Sequence, residues 1–412
     1  MTAPFAPATQ TELARFVAEN ADGPRRSLMA VGGRTALHYG YAGQADSQVV
    51  ELQGLSRVVD YPARDMTVTV EAGLRVDDLQ ALLKTEGQRL PIDIAQSARA
   101  TIGGAIATNT SGPRRMGHGT FRDYVIGVSA VDAHGKLFKG GGRVVKNVAG
   151  YDLCKLLTGS RGTLGIISQV TLKLRPVAEA TAFLWGTFEQ FAEVENVLAL
   201  LQQSESRPVA MEVLAGSAAQ LIANQARAGL PGKSPVLCVG VEGSAAEVAW
   251  QLERLQQEVS PYGVQDLVTV DGESADRLWT ALTEFQTSAD DPVTFQANLL
   301  PSRCMQFAEL AVKLGVAVQI HAGNGIVIGQ LPESAASIDG ALAMLATLRQ
   351  QARTGRGNLQ VLHCDPEWKA RMPMCGDPEP AWPLMRQLKQ SLDPHGILNP
   401  GRFVDAKSGL SV

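Results

Sequence analysis

Apolar and polar positions along this chain follow two periods, and the pattern changes near Val177. Ahead of that point, Leu13, Phe16 and Val17 recur at helical spacing behind Thr9 and Thr11. A helix is therefore predicted over 9–19, capped by one of the two threonines. SLMAVGGRT (27–35) reads as a short strand entering a glycine turn, and 48–87 as strand, turn, strand, strand and helix. The alternation in MTVTVEAG has the period of a half-buried strand, and Val76 opens a helix ending at Gly87. VIGVSAVDAHGKLFKGGG predicts a hairpin turned at His134 and Gly135. A helix from Gly150 to Leu157 and a proline-closed strand within 162–176 follow.

Beyond Val177 the texture is different. Helical patterns over 188–204, 245–260 and 334–353 are interspersed with a buried strand over 235–243 and a hairpin over 315–331. The segment 379–403 reads as a helix followed by turns. Short strands mixed with helices predict an α+β fold, not a regular βαβ array. The expected organisation is a first domain over 1–176, a second over 177–378 with an antiparallel sheet backed by helices, and a tail over 379–412 returning to the first.

With 412 residues the chain is too long for one ordinary core, which supports two domains. The net charge of −4, with both signs interspersed, gives no basic patch for nucleic acid and no polybasic membrane anchor. No apolar run approaches the ~18 residues that a spanning helix needs, so any membrane association is expected through a partner. The five cysteines form no C-x-x-C pair, which argues against a thiolate-held zinc or iron–sulfur cluster and for reduced thiols. With no basic n-region before an apolar stretch at the N-terminus, the expected location is the cytoplasm. The alternative is a peripheral place at the inner membrane, reached through partner subunits.

Glycine is the informative excess. The 41 glycines stand above the usual ~7%, and three segments before residue 176 combine them with small and hydroxyl side chains: VGGRTALHYG (31–40), ATIGGAIATNTSG (100–112) and GSRGTLG (159–165). Main-chain amides without a Cβ in the way form concavities that suit anions such as a pyrophosphate. A tight turn explains any one segment equally well; three within 140 residues favour a ligand. None has the spacing of G-x-G-x-x-G on a βαβ unit or of a P-loop.

The run from PIDIAQSARATIGG to VSAVDAHG, followed by GRVVKNVAGYDLCKLLTGSRGTLGIISQVTLKLRP, resembles the FAD-binding domain of the vanillyl-alcohol oxidase, or PCMH, type. LDPHGILNPGRF (392–403) resembles the C-terminal signature of its 2-hydroxy-acid oxidase branch. Within that branch the KNVAGYD wording and the short C-terminal domain are most similar to the FAD-binding E subunit of bacterial glycolate oxidase. The resemblance implies two α+β subdomains in the FAD-binding part and FAD as cofactor. It makes Gly32, Gly33, Arg34, Thr35, Ala36 and Leu37 the first pyrophosphate loop. Thr101, Gly103, Gly104, Ala107, Thr108, Asn109 and Gly112 would follow the pyrophosphate and flavin. Gly162, Thr163, Gly165, Ile166 and Ile167 would flank the adenosine and ring edges, with Pro91, Asn147 and Tyr151 as further contacts. Arg161 departs from the acidic residue that many relatives carry there.

For catalysis, the resemblance points to HAGNGIVIG (321–329), where relatives place a metal-binding histidine motif. Only His321 of that motif is present, so no metal site is expected. His321 is either a catalytic candidate or a strand-end histidine with a satisfied hydrogen bond. Arg114, Arg115 and Arg122 lie in a glycine-flexible loop, as a carboxylate or phosphate clamp or as a solvated surface. His118 in the same loop is either a covalent flavin anchor or an exposed residue. Lys146 is implied beside the isoalloxazine, where it would stabilise negative charge on the reduced ring. Catalytic candidates are therefore Lys146, Arg114 and His321. Three functions follow: an FAD subunit of a glycolate oxidase complex with a larger FAD-containing catalytic subunit and an iron–sulfur subunit; a self-sufficient FAD-dependent D-2-hydroxy-acid dehydrogenase; or a flavin-free structural subunit. A small 2-hydroxy acid is the expected substrate and nucleic acid is not an expected partner.

Overall fold

The computed structural model describes residues 3–143, 150–287 and 291–404. It divides into two compact units. The first comprises Met1–Ser111, Gly119–Val177 and Pro378–Val412; the second comprises Gly112–His118 and Ala178–Asp377. The segment Gly112–His118, expected in the first domain, thus groups with the second unit.

In the first unit, Thr9 caps the helix Gln10–Asp22 by accepting from the Glu12 amide. The strand Leu28–Val31 pairs in parallel with Gln48–Glu51. Five antiparallel strands follow, in the spatial order Val58–Asp60, Thr67–Glu71, Ile166–Lys173, Val125–Val131 and Leu137–Gly141. The last two form the hairpin predicted from sequence, with Gly135 turned at φ +79. One side of this sheet buries Val68, Val70, Val128, Val170 and Leu172 together with Leu79 and Leu83 of the helix Val76–Lys84. Another core joins Leu13 and Val17 to Val131, Ile166 and Leu28.

Two sequence readings change here. Thr67–Glu71 is buried along its whole length, not half-buried. Two of its three polar positions are partnered: Thr69 and Thr171 share a 3.0 Å hydrogen bond across the strands, and the Glu71 carboxylate accepts from the Arg57 amide at 2.8 Å, while the buried Thr67 hydroxyl has no partner among the described residues. The segment read as a glycine loop contains a helix, Ile102–Thr108, with Thr101 as its N-cap and Asn109 in the left-handed conformation at its end.

The tail is knitted to the same unit. The Leu28 amide donates to the Ile397 carbonyl, and the Asn399 amide donates to the Leu28 carbonyl. Lys389, on the helix Trp382–Leu392, donates to the Thr163 and Leu398 carbonyls and to Asp393, all within the interior.

The second unit is built on eight antiparallel strands in the order Leu267–Asp271, Ala180–Thr187, Val236–Gly243, Ala210–Ala215, Ala317–His321, Ile326–Gln330, Val293–Asn298 and Asn358–Cys364. Helices such as Ala245–Val259, started by a Ser244–Glu247 capping box, accompany it.

Candidate functional site

A cleft opens within the first unit. Four pieces of chain form its wall: the loop after Leu28–Val31, the glycine-rich helix, the loop after the helix Leu153–Leu157, and the returning tail. They are fixed to one another by backbone. The amides of Gly159 and Arg161 donate to the carbonyls of Ile106 and Ala107 at the end of the glycine helix, at 2.9 and 2.7 Å. Asn399 joins two of the loops, its Oδ1 accepting from the Ala30 amide at 2.8 Å and its Nδ2 donating to the Arg161 carbonyl at 2.7 Å.

Each glycine segment holds one larger residue in the left-handed region: Arg34 at φ 60, Asn109 at φ 51 and Arg161 at φ 53. Such conformations cost a non-glycine residue roughly 1–2 kcal/mol and collect at ligand sites. Around Arg34, the amides of Gly33, Arg34, Thr35 and Ala36 donate to no other described residue. A run of amides left without a chain partner beside a left-handed residue suits an anion. The buried Oδ1 of Asn109 and Oγ of Ser160 likewise have no partner among the described residues.

The glycines are bare for different reasons. A Cβ on Gly32 would stand 2.1 Å from Thr101 Oγ1, one on Gly33 1.7 Å from the Arg99 carbonyl oxygen, and one on Gly103 2.6 Å from Ala72 Cβ. At these three the chain itself fills the space. Gly104 is exposed, and its Cβ would meet only Thr101 Oγ1 at 3.1 Å. Gly104 is therefore the glycine of this helix that leaves room in the cleft.

Of the residues predicted to hold the cofactor, Gly32, Gly33, Arg34, Thr35, Ala36, Leu37, Thr101, Gly103, Gly104, Ala107, Thr108, Gly162, Ile166 and Ile167 line this cleft. Pro91, Asn109, Gly112, Tyr151, Thr163 and Gly165 do not line it. Pro91 is buried, and Gly112 belongs to the second unit. Thr163 turns its hydroxyl back onto the Ser160 carbonyl. A Cβ on Gly165 would lie in ordinary contact with Phe138. Tyr151 is 95% exposed, next to Asp152, which caps Leu153–Leu157. Lys146 and Asn147 lie outside the described residues. The wall also includes Met29, Ala30, Tyr39, Leu52, Ala72, Arg161, Asn399 and Arg402. Of these, Met29, Ala30, Tyr39 and Arg161 stand in or beside the glycine segments and Asn399 and Arg402 in LDPHGILNPGRF, whereas nothing in the sequence signalled Leu52 and Ala72.

The remaining catalytic candidates are both in the second unit, and both are occupied. Arg114 donates to Glu242 at 2.5 Å and lies 3.7 Å over the Trp279 ring. His118, expected in an exposed loop, is instead part-buried against the same carboxylate at 3.1 Å. His321 is buried with Nδ1 2.8 Å from Glu212, which also accepts from Gln319. The reading of His321 as a satisfied strand-end histidine describes what is seen. Register explains the pairing, because Glu212 stands opposite both His321 and Cys238 in the sheet. Among the described residues no group of three or more His, Cys, Asp or Glu side chains is placed to hold a metal ion.

Two family models match this chain: "FAD binding domain" over residues 2–141, and "FAD linked oxidases, C-terminal domain" over 177–315 and 372–403. The chain is an FAD-linked oxidoreductase. Its sequence is 26% identical to glycolate oxidase subunit GlcD of Bacillus subtilis, over 97% of this chain and 88% of that one. It is 35% identical to glycolate oxidase subunit GlcE of Escherichia coli, over 33% of this chain and 39% of that one. Among solved structures, p-cresol methylhydroxylase superposes with a TM-score of 0.72 at 16% identity, covering 98% of this chain and 88% of that one, a likeness of fold. The cleft of this oxidoreductase fits FAD by its own chemistry. Its lining combines the glycine-rich backbone and the side chains of Arg34, Arg161 and Arg402 with the apolar side chains of Leu37, Leu52, Ala107, Ile166 and Ile167.

Proposed function

We propose that this chain is a flavin subunit of a 2-hydroxy-acid oxidase of the glycolate oxidase kind, and that it passes electrons to partner subunits. The observation that carries the reading is the cleft of the first unit, whose lining brings the amides of 33–36, which have no partner among the described residues, together with aliphatic side chains. FAD, when bound, supplies the acceptor for the two electrons lost by an alcohol carbon. The chain's own part is to hold it. Amides of Gly33–Ala36 would take the diphosphate, Gly104 would leave space for it, and the aliphatic stretch would exclude water from the rest of the cofactor.

The similarity to both GlcD and GlcE supports a multisubunit assembly. We assign the E-type role from the KNVAGYD wording, with a larger flavin subunit and an iron–sulfur subunit as partners. The whole-length similarity to GlcD favours a second reading, a self-sufficient dehydrogenase. One experiment separates them. The purified chain is assayed for flavin, then mixed anaerobically with glycolate or D-lactate while its visible absorbance is followed. The subunit reading expects yellow protein that bleaches only when the partners are present. Bleaching by the chain alone establishes the second reading, and colourless protein that takes up no added FAD overturns both.

A further inference from the structure

Arg161 and Arg402 are far apart in sequence, yet both line the cleft and both approach Tyr39. Arg402 donates to the Tyr39 carbonyl, and the Arg161 guanidinium lies 6.0 Å from the centre of the Tyr39 ring. The backbone fixes both origins: the Arg161 carbonyl is held by Asn399, and the tail carrying Arg402 is anchored at Leu28 and through Lys389. A third cation of the wall, Arg34, is paired with Glu51 at 2.6 Å. Burial, and then the neighbouring charge of Arg161, pull the Arg402 guanidinium below its usual range. Two like charges gathered at the wall of a part-buried cleft repel, and an anion placed with them relieves the repulsion.

We propose that Arg161 and Arg402 form a two-guanidinium clamp for the diphosphate bridge of the flavin dinucleotide. The inference rests on the flavin reading above and extends it from shape to charge. Guanidinium forks match phosphate oxygens two at a time, and such charge-assisted bonds are about twice as strong as neutral ones. The amides of 33–36 alone would give a site nearly indifferent to salt. With the clamp, retention of FAD falls as ionic strength rises.

The test uses full-length protein freed of flavin and titrated with FAD, riboflavin, ADP and inorganic phosphate across a range of salt. Wild type is expected to bind FAD with a marked salt dependence and to bind riboflavin, which carries no phosphate, with little. Arg161→Gln and Arg402→Gln are each expected to weaken FAD about tenfold, the loss of one charged hydrogen bond, and to flatten the salt dependence. Their riboflavin affinity should not change. Arg402→Lys keeps the charge and should recover part of the salt dependence, which separates charge from folding. ADP should compete with FAD in wild type and poorly in the Gln variants. Unchanged FAD affinity and salt dependence in both Gln variants would overturn the clamp. So would equal weakening of FAD and riboflavin, or competition by inorganic phosphate as strong as by ADP. Wild type that takes up neither flavin overturns the flavin reading itself, and the clamp with it.

Discussion

Gly103 and Gly104 are neighbours in one turn of helix, yet their missing side chains have different consequences. Gly103 faces Ala72 at a separation no Cβ tolerates, whereas Gly104 faces the open cleft. Gly103→Val should therefore destabilise the protein by about 1–3 kcal/mol through overpacking, seen as a lower melting temperature even without flavin. Gly104→Leu should leave the flavin-free melting temperature near wild type and abolish flavin retention. Equal loss of stability in both variants would show that Gly104 also serves packing. The same scale explains why glycine counting found the region but misjudged the reason. Three of the four bare positions are bare because the protein's own backbone or side chains come close.

At the level of elements, the tail depends on a buried hub. Lys389 and Asp393 are almost wholly enclosed, and the lysine also holds the Thr163 and Leu398 carbonyls. Lys389→Met leaves the Asp393 carboxylate with backbone donors alone and should cost about 3 kcal/mol or more. It should also lower flavin retention, because the tail carries Asn399 and Arg402. Burial holds the Lys389 ammonium below the ordinary 10.5 despite the opposing pull of Asp393. A base with a lower pKa folded than unfolded binds fewer protons when folded, so stability should rise with pH in the window just below 10.5. That rise should be missing from Lys389→Met when denaturant unfolding is followed across the window. In the second unit, the short segment Gly112–His118 is held by Glu242 through Arg114 and His118. Glu242→Ala leaves Arg114 and His118 without their carboxylate and should cost about 3 kcal/mol, measurable by chemical denaturation.

Across the whole molecule the thiols behave alike in both units. Burial pushes Cys154 and Cys364 up to about 11, Cys304 up to about 12, and Cys238 well above the ordinary range. Only Cys375 is less than buried. A thiol reagent at neutral pH should therefore modify Cys375 first, and the others only on unfolding. Mass spectrometry of the native protein showing early modification of Cys238 would contradict this. No helix of the described residues is long and apolar enough to cross a membrane.

Local order was legible because it is written in local order. The threonine cap of the first helix, the hairpin at Gly135, the helix over 245–260 and the antiparallel character of the second unit all follow from spacing and turn chemistry within a few residues. The three glycine segments were legible too, and so was the dinucleotide they suit. What the sequence left undecided depends on residues brought together from afar. Ile102–Thr108 is helical despite two adjacent glycines, which weaken helices, because Ala72 and the Thr101 cap receive it. His321 meets Glu212 only through strand register, 109 positions away. Arg402 and Arg161 share a wall only because the tail returns to the first unit. Periodicity records which face of an element is apolar, but the partner of a face is chosen by packing, and packing exists only in the folded chain.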